Sequence, residues 1–131
     1  MTLPARYIST SIARSFREVY DFASNPENLP LWAAGLSGSI SNIDGSWIAE
    51  SGMGRVRVEF APPNEFGVLD HTVTLATGES FYNPLRTFAN GEGSEIVFTL
   101  FRRPGVDDAE FESDAAAVAR DVATLKGILE R

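Results

Sequence analysis

The chain has 131 residues, 44% apolar and 22% charged, the make-up of one globular domain spanning 1–131 with length enough to bury a core. A net charge of −7, with eleven basic residues scattered along the chain, argues against nucleic acid or an anionic membrane as the main partner. The absence of cysteine excludes a disulfide framework, a thiol nucleophile and a thiolate metal site. No apolar run approaches the roughly 18 to 20 residues of a membrane span. MTLPARYISTSIARS alternates and lacks the apolar core of a signal peptide, so a cytoplasmic location is expected.

Tyr7 to Ala13 reads as a first strand, with Tyr7, Ser9 and Ser11 on one face and Ile8, Thr10 and Ile12 on the other. Ser15, followed by Glu18, forms a capping-box signature for a helix reaching about Ala23. Its apolar stripe is Phe16, Val19, Tyr20 and Phe22/Ala23. Asn25-Pro26 breaks that helix, and a short helical turn carrying Leu29, Leu31 and Trp32 follows. From Leu36 to Arg103 the chain reads as a meander of six strands. Ile43-Asp44-Gly45-Ser46 is a two-residue hairpin turn, and Val56, Val58 and Phe60 share one face of GMGRVRVEF. Trp47 and Ile48 are adjacent and cannot both face inward, so the faces of those strands stay open. Pro84 inside SFYNPLRTFA implies an edge or a bulge, and a bulge would turn Tyr82 and Arg86 inward. From Val106 the period becomes helical: Phe111, Ala115, Val118, Val122, Leu125 and Leu129 form one stripe. Acidic residues crowd its start and Lys126 and Arg131 lie at its end, as the helix dipole favours.

GVLDHTVTL holds the only histidine. A symmetric hairpin closed by APPNEF sets Val58 opposite Leu69, Val56 opposite His71 and Arg57 opposite Asp70. The same reasoning through ATGES sets Val73 opposite Asn83, His71 opposite Leu85 and Asp70 opposite Arg86. His71 then faces inward, as a neutral imidazole. The outer face carries a row Arg57–Asp70–Arg86, whose plain reading is a solvated ladder worth ~0–1 kcal/mol per pair.

One histidine and no cysteine leave no zinc spacing, and no metal or cofactor is expected. Gly35-Leu36-Ser37-Gly38 is a loop into a strand rather than a nucleophile elbow. Gly91-x-Gly93 lies between strands with no helix after it, so a phosphate cradle is not expected. The acidic run Asp107 to Asp114 is explained by the helix start.

A strand, two short helices, six strands and one long C-terminal helix form an uncommon order. It resembles the helix-grip fold of the START-related (SRPBCC) superfamily, which includes polyketide cyclases, plant pathogenesis-related allergens, lipid-transfer domains and co-chaperone activator domains. SIARSFREVYDFASNPENLPLWAAG is similar to the opening of polyketide cyclase/dehydrase-like members. NEFGVLDHTVTL, NPLRTFANGEGSEIVFTLFRRPG and DAAAVARDVATLKGILER resemble a largely uncharacterised bacterial branch. The resemblance spans nearly the whole chain and implies an α+β fold: a seven-stranded curved antiparallel sheet wrapped around the C-terminal helix, two short helices between strands 1 and 2, and a cavity between sheet and helix.

Ala115, Ala116 and Ala119, with Val118, are small where Leu125, Ile128 and Leu129 are large, which puts the expected cavity near Phe111 to Val122. The expected function is binding of a small hydrophobic or aromatic, lipid- or polyketide-like molecule, with Trp32, Val56, His71, Asn83, Leu85, Phe98, Phe111, Ala115 and Val118 as the ligand-binding set. A cyclase/dehydratase-type enzyme using His71 as general acid or base is the second reading. The third is a protein-interaction domain or homodimer, using Tyr82, Val97 and Phe101 on the outer sheet face.

Overall fold

A computed structural model describes residues 1–36 and 38–131, so Ser37 of the Gly35–Gly38 loop lies outside the described residues. Strand β1 (Ala5–Ile12) leads into helix α1 (Phe16–Ala23), a single 3-10 turn (Pro26–Asn28), short helix α2 (Leu29–Trp32) and a second 3-10 turn (Ala34–Leu36). Then come β2 (Ile40–Ile43), β3 (Ser46–Ser51), β4 (Gly54–Phe60), β5 (His71–Leu75), β6 (Ser80–Asn83), β7 (Leu85–Asn90) and β8 (Gly93–Phe101). The long helix α3 (Asp108–Leu129) ends the chain. Local chemistry sets the element ends. Ser15 Oγ accepts from Glu18 N at 3.2 Å and donates to the Glu18 carboxylate at 3.1 Å. Asp107 caps α3 by accepting from Glu110 N at 2.8 Å. Asp44 and Gly45 take φ of 52° and 86°, the type I′ pattern that matches strand twist.

The α+β class and the C-terminal helix are as expected, but the single seven-stranded sheet is not. Among the described residues, eight strands form two antiparallel sheets, one ordered β1-β8-β7 and the other β2-β3-β4-β5-β6. Pro84 is the cause. It has no N–H for a ladder, and the expected sixth strand splits there into β6, paired with β5, and β7, paired with β8. The Pro84 carbonyl accepts from Thr99 N at 3.0 Å, so the chain crosses between sheets without losing its acceptor. The alternation is not swapped at the break: Phe81, Asn83, Leu85 and Thr87 all face inward, while Tyr82 and Arg86 face outward.

The expected register of the hairpin before β5 is also corrected. Phe60 pairs with His71, Val58 with Val73 and Val56 with Leu75, and His71 pairs with Asn83 rather than Leu85. Both shifts are even, so each residue keeps its face. The strand starts late because 61–70 is an organised loop. Pro62 and Pro63 cannot donate to a ladder, and Asn64 ties the segment into a knot of its own. Its Oδ1 accepts from Phe66 N (3.0 Å) and Val68 N (3.1 Å), while its Nδ2 donates to Pro62 O (3.0 Å) and Val68 O (2.9 Å). The loop end then docks on β7: Thr87 N donates to Gly67 O at 3.0 Å and Leu69 N to Leu85 O at 2.8 Å. That segment links the two sheets.

The core lies between the sheets and α3, with Ile12, Val19, Leu29, Val56, Val58, Leu69, Leu85, Ile96 and Leu125 buried to 2% exposure or less. Trp47 and Ala49 face Val58 and Val56 on the inner side, which places Ile48 outside against Arg57. On α3, Phe111, Ala115, Val122 and Leu125 are buried and Val118 is half-buried. Ala116 and Ala119 are exposed, so the small residues expected to flank a void are partly on the solvent side. At the far end, Lys126 Nζ donates to Ser11 O at 2.6 Å and Glu130 accepts from Ala13 N at 2.7 Å, pinning α3 to β1. Among the described residues, no helix is long and apolar enough to cross a membrane.

Candidate functional site

A cleft of about 450 Å³ opens between β5–β6, the end of β8 and the first half of α3. Its walls are built by alternation: Val73 from β5, Phe81 and Asn83 from β6, and Leu100 from β8 all lie on inward faces. Asp114 closes one side from α3, Val106 comes from the connection before it, and Leu3, Met53 and Phe101 rim the mouth with Arg103. Most of this wall is apolar, with a few polar groups at fixed positions, the pattern of a small-molecule site. A second depression of about 440 Å³, bounded by Ala34, Gly35, Gly38, Glu50, Ser51 and Gly52, is wide open and built largely of main chain and small residues, and it offers no comparable apolar wall.

Of the nine residues expected from the sequence to bind ligand, Asn83 lines this cleft. Val56 and Leu85 are core residues at 1% and 0% exposure. Trp32 is buried on α2, which packs against α3 where Ala34 N donates to Asp121 Oδ1 at 3.2 Å; its indole N–H finds no acceptor among the described residues. Phe98 packs edge-on to His71 with ring centroids 6.2 Å apart. Phe111 is buried beneath two guanidinium groups, those of Arg6 at 5.1 Å and Arg102 at 5.9 Å from its centroid. Ala115 is buried and Val118 half-buried on α3, and neither lines the cleft. The residues missed by sequence reasoning include Val73, Phe81, Leu100, Val106, Arg103 and Asp114. Phe81 carried a signal, since it shares the parity of Asn83, but the undecided faces around Pro84 hid it.

His71 is buried on the inner face, its ring 5.3 Å from that of Phe60. Leu69 O can only accept, so at 3.2 Å the ring proton sits on Nδ1 and Nε2 keeps its lone pair. Burial holds the imidazole pKa below its ordinary value, against the smaller opposing pulls of the Leu69 carbonyl and the Asp70 charge. The native state therefore keeps His71 neutral where an unfolded chain would protonate it. The unfolded state binds the extra proton, so stability is full above the unfolded pKa and declines as pH falls through about 6.5 toward the depressed folded value. Because His71 is the only histidine, this slope is assignable. Urea midpoints measured from pH 7.5 to 5 should fall for the native protein and stay nearly level for His71→Leu; equal slopes would mean the imidazole is not desolvated.

Asp70 lies outside, as expected, but it is no solvated ladder. Asp70 is buried, and its carboxylate gathers four donors. Arg86 Nη2 donates to Oδ2 at 2.9 Å and Arg86 Nε to Oδ1 at 3.2 Å, Leu85 N donates to Oδ1 at 3.0 Å, and the Tyr82 hydroxyl donates to Oδ2. Burial would raise the Asp70 pKa, yet the bonds from Arg86, Tyr82 and Leu85 outweigh it and hold the carboxyl below its usual range. Arg57 takes no part, sitting opposite Thr74 and pairing with Glu59 at 2.8 Å. These contacts leave Asp70 facing away from the interior, and among the described residues no carboxylate hydrogen-bonds to the His71 ring. Among the described residues no three acidic or histidine side chains gather as a metal site.

No family model matches the chain, and no curated protein matches it in sequence. Solved structures do. XoxI from Bacillus cereus superposes with a TM-score of 0.73 at 13% identity, covering 97% of this chain and 96% of that one. A START superfamily protein from Mycobacterium smegmatis gives 0.73 at 12% identity over 96% and 97%. Ara h 8.0201 gives 0.70 at 13% identity over 97% of each. At such identities the likeness establishes the fold alone.

Proposed function

We propose that this chain, whose fold is that of the START-like proteins, binds a small apolar or aromatic molecule in the cleft beside the first half of α3. The observation that carries this reading is the cleft of about 450 Å³, walled by Val73, Phe81, Leu100 and Val106 with Asn83 as an orienting polar group. Its size suits a ligand of two fused rings or a short acyl chain. The START and Ara h 8 likenesses support the same reading at the level of fold. Catalysis by His71 draws less support, since the ring is packed between Phe60 and Phe98 without a carboxylate partner.

Native mass spectrometry of protein purified from its own host is the direct test. A co-purifying small molecule, displaced by an added arene, is the expected result. Protein that arrives empty and takes up neither arenes nor acyl chains would remove the reading. The same spectrum reports whether a second copy associates through the exposed Tyr7, Phe88 and Phe101 on the outer face of β1-β8-β7.

A further inference from the structure

Arg103 is held differently from the other cations near the cleft. Its neighbour Arg102 is locked by Val106 O at 2.8 Å and by Asp108 at 2.6 Å. Arg6, across the buried Phe111 ring, is tied to Glu112 by two hydrogen bonds. The Arg103 guanidinium makes no hydrogen bond among the described residues, and its one acidic neighbour, Glu79, stands 3.9 Å away. What orients it is an aromatic face: its Cζ lies 4.1 Å from the centroid of Phe81, the ring that forms the cleft wall. Stacking of this kind fixes the plane of a guanidinium while leaving its N–H edge unused. A planar donor edge of that sort matches a carboxylate in two-point geometry.

We propose that Arg103 is the specificity-determining residue of the cleft and that its ligand is an amphipathic aryl or acyl carboxylate, with the apolar body against Val73, Phe81 and Leu100 and the anionic head on Arg103 at the mouth. This rests on the binding reading above and adds the charge of the ligand to it. Asp114, which lines the same cleft from α3, gives the site a polarity. It disfavours the reversed pose, in which the carboxylate would enter first and approach α3. The net charge of −7 repels an anion at long range, so the preference arises from contact and not from steering. Glu79 is the internal competitor, close enough to attract Arg103 and too far for a hydrogen bond.

The test is calorimetric titration of the whole chain with three matched probes: 2-naphthoate, its neutral 2-naphthamide, and the cationic 2-naphthylmethylammonium. For the native protein the acid should bind roughly tenfold tighter than the amide, the scale of one charge-assisted contact at a half-exposed site. In Arg103→Gln that ratio should collapse toward one. In Glu79→Gln, with the competitor gone, it should rise severalfold, a gain that a damaged fold would not produce. An acid-to-amide ratio near one in the native protein, or a ratio that Arg103→Gln leaves standing, would overturn the assignment of Arg103 while leaving the cleft a binding site. Tightest binding by the ammonium probe would give the mouth to Asp114 instead. Failure of all three probes would remove the cleft itself.

Discussion

Replacing Asp70 with asparagine should cost about 3 kcal/mol, a large share of the 5–15 kcal/mol that holds a domain of this size together. The carboxylate is 5% exposed and receives both Arg86 contacts, the Leu85 amide and the Tyr82 hydroxyl. An amide keeps the shape but loses the charge, and its NH2 must face one of those donors. Arg86 is more than half exposed and can turn to water, but the Leu85 N–H lies against the break at Pro84 and cannot. Urea unfolding should show the loss, with a fall in Tm of roughly 10 °C. Tyr82→Phe, which deletes one exposed donor, should cost about 1 kcal/mol. The pH dependence has a definite sign. The folded pKa lies below the unfolded one, so Asp70 contributes its full stability above about pH 5, and that contribution is lost as pH falls through 4 toward the depressed folded value. Asp70→Asn should flatten this acid limb. A loss under about 0.5 kcal/mol would return Asp70 to the status of a solvated surface pair.

Gly67→Ala should be of similar size, about 3–5 kcal/mol, for a steric reason. Gly67 sits at φ +76°, where an L side chain is strained by about 1–2 kcal/mol. A Cβ there would also lie 1.9 Å from Thr87 O and 2.6 Å from Phe16 Cε2. Phe16 can swing aside, but the Thr87 carbonyl belongs to β7 and cannot. Relief would have to come from the hydrogen bonds that dock the loop on β7, Thr87 N to Gly67 O and Leu69 N to Leu85 O. Gly78→Ala is the matched control, since Gly78 has φ +92° with nothing near its missing Cβ. It should show the strain alone, and the difference between the two variants measures the close approach. Equal costs would mean the loop is not seated on β7. Asp70 and Gly67 both lie in the segment that links the sheets, immediately before β5, so Asp70→Asn and Gly67→Ala should each also weaken binding in a cleft whose wall includes Val73 of that strand.

Much of this architecture was legible because it is written in local chemistry. The capping box at Ser15, the break at Asn25-Pro26, the Asp44-Gly45 turn and the stripe from Phe111 to Leu129 each depend on residues within a few positions of one another. The inward face of Val56, Val58 and His71 was equally secure. Alternation has a period of two, so register errors of two and four residues left every side chain on its correct side. Only in three dimensions did the consequences of Pro62, Pro63 and Pro84 appear. A proline announces a missing N–H but not which strand its neighbours will pair with instead. The same Asp70–Arg86 pair was visible in the pattern, while its burial was not, because exposure depends on Tyr82 and on a loop folded by Asn64. The cleft is the extreme case. Val73, Phe81, Leu100, Arg103 and Asp114 come from five separate segments, and a pattern confined to one strand or one helix carries no record of where the sheets part. Alternation and capping are properties of neighbours along the chain, and therefore belonged to the sequence; the parting of the sheets, and the site it opens, is a property of neighbours across space.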